Sequence, residues 1–238
     1  MGTGIGIVAS RHAGLDVIFV DPSDKQLVNS EVQIGLWCDK EIKKERMDEA
    51  AKKQMLSRIS YGDTIQHLSE VDFVVEAASE DWSIKKTIFQ HMSNVVPSHA
   101  ILATNTSSIS ITKIAGCVQP ERATNVIGMH FMNPVPVMTL VEVINGLQTS
   151  DDTYQMTLEL AKKMGKTCTT ARDVPGFIAN RILMPYINEA VFALYEGIGT
   201  AEDIDKTMLL GTKVPMGPLA LADFIGLDTC LAIMRVLH

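Results

Sequence analysis

The chain has 238 residues, enough for one large domain or two modest ones of the usual ~100–200 residues. Hydrophobic residues make up 46%, which supports a sizeable core, and a net charge of -7 with no long Lys/Arg block excludes a nucleic-acid footprint. The cysteines, Cys38, Cys117, Cys168 and Cys230, are scattered with no CxxC pair and no His at ligand spacing, which speaks for free thiols and against a disulfide framework or a metal site.

In chain order, Gly2, Gly4 and Gly6 come first, with no strand before them and without spelling G-x-G-x-x-G. If Gly2 is the third glycine of that fingerprint, the first two and the first strand precede residue 1, and the chain begins inside a helix. Residues 16–21 (DVIFVD) are a short apolar run ending in a carboxylate and read as a strand. Asp21 then stands where a dinucleotide site places the acid that takes a ribose hydroxyl, or it caps a loop before Lys25. Residues 39–58, rich in Lys and Glu with apolar positions at helical spacing, read as a helical excursion over the surface.

Residues 72–77, 100–105, 125–131 and 138–144 are further apolar runs, suited to strands buried on both faces. Residues 83–95 and 151–164 carry helical periodicity. This alternation, closed by a strand at 166–171, is the pattern of a parallel α/β sheet. Composition changes at Asp173-Val174-Pro175-Gly176. Beyond it, 177–196, 201–210 and 219–237 read as helices, which divides the chain into an α/β domain, 1–173, and an all-helical domain, 174–238. The apolar stretches at 182–194 and 219–237 are interrupted by Asn188, Glu189, Asp223 and Asp228, so neither reads as a membrane span. The first residues lack a secretory signal, and Gly6 stands where a myristoylation motif requires Ser or Thr. The chain reads as soluble and intracellular.

Four places carry candidate chemistry. His130 ends an apolar strand and is followed by two prolines, Pro134 and Pro136, which a central strand does not accept, so the chain turns there. Strand ends are where α/β sheets place reacting groups; the alternative is a satisfied core histidine. Glu142 lies in the apolar run 140–144, and a buried carboxylate requires a partner. His130 is one candidate, making a general-base pair; a Lys or Arg in a structural ion pair is the other. Asn105-Thr106-Ser107-Ser108 follows another strand end, where its side chains serve a substrate oxygen or a nicotinamide amide, or where Ser107 or Ser108 caps a helix at 109–115. Asn180 is flanked by apolar residues on the helix that opens at Phe177 and has the same two readings, ligand donor or buried structural amide.

In this order the segments 105–108 (NTSS), 128–136 (GMHFMNPVP), 140–144 (LVEVI), 173–181 (DVPGFIANR) and 215–218 (PMGP) resemble the signature of the 3-hydroxyacyl-CoA dehydrogenases, most closely the short-chain 3-hydroxybutyryl-CoA branch. The resemblance implies a Rossmann-type doubly wound parallel sheet, its first strand missing, followed by an all-helical C-terminal domain. It implies hydride transfer from C3 of an acyl-CoA substrate to NAD. His130 would be the general base, with Glu142 as its partner, and Ser107 and Asn180 would hydrogen-bond the substrate. Gly2, Asp21, Ala77, Glu80, Lys85 and Asn105 would line the NAD site, with Asp21 favouring NAD over NADP because a 2′-phosphate would meet a like charge. Lys44 would lie near CoA, or on a solvated face. The helical domain would continue beyond His238 and carry a homodimer contact. Relatives occupy the cytoplasm, peroxisome or mitochondrial matrix. Two rivals stand beside this reading. One is a non-catalytic truncated or crystallin-like structural or binding relative. The other is a different 3-hydroxyacid dehydrogenase with a Lys base, for which no comparable Lys is present. Trp37 stands where a smaller polar residue is expected.

Overall fold

The computed structural model describes residues 1–237. They form two compact units, Met1–Asp173 and the chain from Val174 onward. The first unit contains α1 (Gly2–His12), β1 (Val17–Val20), α2 (Asp24–Lys43), α3 (Glu49–Leu56), β2 (Ile59–Gly62), β3 (Phe73–Glu76) and α4 (Trp82–Val95). It continues with β4 (Ile101–Thr104), α5 (Ile111–Ala115), β5 (Val126–Phe131), β6 (Leu140–Asn145), α6 (Asp151–Lys163) and β7 (Thr167–Arg172). The second unit is helical: α7 (Ala179–Tyr195), α8 (Ala201–Gly211), α9 (Pro218–Ile225) and α10 (Leu227–Leu237).

The strands form two sheets, β1-β2 and β3-β4-β5-β6-β7. All neighbours are parallel except β5 and β6, which are antiparallel. The expected Rossmann-type parallel sheet is present, with this one antiparallel pair in it. Only residues 132–139 connect β5 to β6, and so short a link turns the chain back on itself where a parallel neighbour needs a crossover helix.

Alternation along the strands assigns the two faces of the larger sheet. Ile101, Ala103, Ile127, Met129 and Phe131 meet Ile5 and Val8 of α1 and Ala161 of α6 in one core cluster. Gly128 and His130 therefore face the other way, and a Cβ built on Gly128 would lie 2.8 Å from Ile111 Cδ1 of α5. That glycine is what lets α5 pack flat on this second face. A separate cluster joins Ile7 of α1 to Ile34 and Cys38 of α2 and Met55 of α3, and Trp37 packs half-buried against it.

Helix ends follow local chemistry. Ser150 caps α6 by accepting from Thr153 N at 3.2 Å, with Asp151 and Asp152 in the first turn and Lys162 and Lys163 in the last, the charge order the helix dipole favours. The expected excursion at 39–58 is instead the end of α2 and all of α3, separated where Glu45 adopts φ 58° and Asp48 caps α3. The expected helix at 219–237 is two, broken at Gly226 with φ 99°. The helix expected from 177 starts at Ala179, because Gly176 and Phe177 are left-handed. Strand β2 was not anticipated: Ile-Ser-Tyr-Gly is too short to show a period. Among the described residues no helix is long and apolar enough to cross a membrane, and no His/Cys/Asp/Glu group can hold a metal ion. All four cysteines are free.

Candidate active site

His130 and Glu142 are direct partners across β5 and β6. In an antiparallel ladder such residues project to the same face. His130 Nδ1 and Glu142 Oε2 lie 2.8 Å apart, and both side chains are buried. With Nδ1–H donating to the carboxylate, Nε2 carries the lone pair, the form a general base requires. The histidine's position at a strand end and the carboxylate's in an apolar run thus share one cause, the register of the hairpin.

Asn105 follows β4, and its Oδ1 accepts from Phe131 N at 2.9 Å, which fixes the chain immediately after His130. The neighbouring loop is held by Glu80. One of its oxygens, Oε1, accepts from Thr106 Oγ1 at 2.5 Å, Ser107 N at 2.9 Å, Ser107 Oγ at 3.2 Å, Ser108 N at 3.0 Å and Ser108 Oγ at 2.9 Å. Burial pushes the Glu80 carboxyl up, but the Thr106 hydroxyl, the Lys85 charge and the Ser108 and Ser107 donors outweigh it, so it sits below the ordinary value. Neither Ser107 nor Ser108 caps α5, because Glu80 engages both; Ser110 is the cap, accepting from Lys113 N at 3.2 Å.

Lys85 is buried on α4, with Nζ donating to both Glu76 oxygens at 2.8 and 2.9 Å and lying 3.6 Å from Glu80 Oε2. Its placement is that of a brace beneath the site. Glu76 also accepts from Thr104 Oγ1 at 2.7 Å and Ala78 N at 2.6 Å. Asn180 is buried in the first turn of α7, in the second unit. Lys44 is exposed just past α2, with Nζ 3.6 Å from Glu41 Oε1, and is not part of the hydrogen-bonded set around His130.

Gly2, Asp21 and Ala77 line one cavity of about 1790 Å³. A Cβ on Gly2 would lie 3.7 Å from Ala77 Cβ, so the amino end of α1 sits at the carboxyl end of β3. No side chain caps α1, and its first amides remain available as donors, as a pyrophosphate requires. Asp21, after β1, accepts from Ser23 N at 2.9 Å and presents a carboxylate to the same cavity, the acceptor a ribose hydroxyl requires. These donors and this acceptor fit the adenosine and pyrophosphate parts of a dinucleotide.

Sequence reasoning missed three organisers. Asp173 accepts from Ser110 Oγ, Ile111 N and Thr112 N at 2.7–2.8 Å and anchors the start of α5. Lys166 donates to Val135 O at 2.5 Å and Met138 O at 2.7 Å, holding the loop between β5 and β6, and burial pushes its pKa down. Glu76 reads in the sequence only as the end of a strand. Lys166 and Asp173 have no local signal, since their partners lie 28–63 positions away.

A dinucleotide-binding end and a buried His–carboxylate pair in one α/β unit are the equipment of a nicotinamide-dependent oxidoreductase. Residues 1–174 match the family model for the 3-hydroxyacyl-CoA dehydrogenase NAD binding domain, and residues 176–238 the one for the C-terminal domain. The chain belongs to the 3-hydroxyacyl-CoA dehydrogenase family, and its cofactor is NAD. It is 47% identical over its whole length to 3-hydroxybutyryl-CoA dehydrogenase of Bradyrhizobium diazoefficiens, spanning 80% of that protein. It is 46% identical to the probable 3-hydroxybutyryl-CoA dehydrogenase of Bacillus subtilis, spanning 82%. The crystal structure of (S)-3-hydroxybutyryl-CoA dehydrogenase PaaH1 from Ralstonia eutropha superposes with a TM-score of 0.95 at 48% identity, covering all of this chain and 83% of that one.

Proposed function

We propose that this protein oxidises a short-chain 3-hydroxyacyl-CoA, 3-hydroxybutyryl-CoA, to the 3-oxoacyl-CoA with reduction of NAD, a step of fatty-acid β-oxidation. The observation that carries the reading is the buried His130–Glu142 pair at the end of β5. His130 Nε2 takes the proton of the C3 hydroxyl, and Glu142 stabilises the imidazolium that results. In reverse, the imidazolium returns the proton to the C3 oxygen. NAD, when bound, supplies the acceptor for the hydride that leaves C3.

Ser107 is a substrate partner in this reading. Its hydroxyl proton points at Glu80, so towards the substrate hydroxyl it acts as an acceptor. Asn180 is assigned to the substrate on the motif at 173–181 alone, and Lys44 to CoA on its place beyond α2. Gly2, Asp21, Ala77, Glu80, Lys85 and Asn105 serve the NAD site: the first three from the large cavity, the last three by holding the strand ends beside it. The helical unit carries a homodimer contact.

The test is NADH consumption with acetoacetyl-CoA, on the wild type and on His130→Gln. Turnover by the wild type is expected, with kcat lower by ~10²–10⁴-fold in the variant, the usual weight of a general base. Glutamine keeps a donor for Glu142, so the melting temperature should stay within a few degrees of wild type. A variant with wild-type kcat ends the assignment. A folded wild type without turnover points to the structural or binding relative.

A further inference from the structure

The inner side of α2 packs in the usual way: Ile34 and Cys38 are buried and join Ile7 of α1 and Met55 of α3 in one core cluster. Its outer side is unusual. Val28, Val32 and Leu36 are each more than half exposed, and each stands about one turn from the next. Three large apolar residues at a spacing of four make a stripe, unlike the single apolar residues that are normal on a surface. Gly35 stands beside the stripe, and a Cβ there would meet nothing within 4 Å, so a second backbone can approach closely.

Opposite charges bound the stripe. At ~100° per residue, Lys25, Val28, Val32, Leu36 and Asp39 all fall within ~40° of one line along the helix. Val28 and Leu36 stand four residues to either side of Val32, and Lys25 and Asp39 seven. Lys25 is exposed. The Asp39 side chain is 53% exposed; its Oδ1 accepts from Lys52 at 2.5 Å, and a carboxylate has a second oxygen to offer.

A face with this order is complementary to itself. Turned end for end about a two-fold axis at Val32, a second α2 brings Leu36 onto Val28, Val32 onto Val32, and Asp39 onto Lys25 at both ends. A parallel copy in register would instead set Lys25 against Lys25 and Asp39 against Asp39. A wholly acidic or wholly basic partner would gain at one end of the stripe and lose at the other.

We propose that the outer face of α2 is a contact between two copies of this chain, an antiparallel helix pair centred on Val32. One helix face buries less than the ~800 Å² per partner of a standard interface, so the contact is weak, with Kd on the order of 100 μM. It is empty at micromolar concentration and fills where the protein is concentrated. It uses no residue assigned to cofactor or substrate, so its test does not depend on the activity reading.

The experiment follows disulfide formation across the axis. Val32→Cys, at ~100 μM chain with diamide as oxidant, should form a covalent dimer at least ~10-fold faster than the wild type. The wild type's own thiols are shielded, Cys38 and Cys230 buried and Cys117 and Cys168 half-buried. Val28→Cys alone should react at the wild-type rate, because it faces Leu36, whereas Val28→Cys mixed with Leu36→Cys should cross-link. Added to Val32→Cys, Lys25→Asp should slow the reaction ~3–30-fold by setting acid against acid at both ends, and Asp39→Lys should do the same with base against base. Mixing those two charge variants should restore the rate, since each then meets its opposite, a result that a damaged fold does not give. Cross-linking of Val32→Cys no faster than the wild type overturns the proposal. So does Val28→Cys that cross-links with itself equally fast, or a mixture of the charge variants that reacts no faster than either alone.

Discussion

At the residue scale, Glu80 shows how one carboxylate orders a loop. Five donors from Thr106, Ser107 and Ser108 converge on one of its oxygens, and Lys85 stands behind the other. Its pKa lies below the ordinary value, so folding favours the ionised form. The stability this contributes is fully present above the unfolded-state value and is lost as pH falls through the lower folded value. Glu80→Gln should therefore be less stable than wild type at pH 7, and the gap should narrow on acidification below the ordinary carboxylate range. Urea midpoints of both proteins at neutral and acid pH check this; a gap independent of pH contradicts it. The His130–Glu142 pair was legible in the sequence because each residue was anomalous on its own strand, a histidine before a turn and a charge in an apolar run. The Glu80 cluster was not. Its donors lie 26–28 positions away, and a Glu beside Asp81 on a polar turn looks like any solvated acid.

At the element scale, the hairpin of β5 and β6 is what places the pair, and Gly128 is its tightest point. A Cβ there would lie 2.8 Å from Ile111 Cδ1 and 2.9 Å from Ile144 Cβ. Ile144 Cβ is fixed to its own strand and cannot retreat. Gly128→Ala should therefore cost ~1–3 kcal/mol, the usual range for overpacking. It should also lower kcat, since Gly128 lies two residues before His130 on the same strand. Urea unfolding and steady-state kinetics on the variant read both effects; wild-type values for both would remove the packing argument. The α/β alternation and the change to helices after 173 were legible because continuous apolar strands and amphipathic helices leave different periods. The antiparallel direction of β6 was not, because an apolar strand reads the same either way. Gly226 was hidden for a related reason: the stretches on either side of it share one apolar character, and only its positive φ separates α9 from α10.

At the scale of the whole molecule, the helical unit has more apolar surface than its own core uses. Met184, Ile187, Ala222 and Cys230 form that core. Yet Ile182 and Phe224 are each 67% exposed, Leu231 51% and Tyr195 86%. Scattered apolar residues are normal on a surface, but large ones gathered on the helices of one small unit are where the proposed homodimer contact would form. A groove of about 450 Å³, lined mainly by apolar side chains of α7 and α10, adds a concave seat beside Leu231. Two copies of one chain meet most often about a two-fold axis, where each contact occurs twice. One charge introduced per chain then becomes two buried charges per interface, which a marginal association does not survive. The wild type should sediment at twice 26.0 kDa. Phe224→Asp with Leu231→Asp should sediment as the monomer with unchanged helicity, because neither side chain belongs to the buried set of the core. A wild type that stays monomeric at micromolar concentration refutes the interface. If the dimer forms, its melting temperature should also rise with protein concentration by mass action, and that dependence should vanish in the double variant.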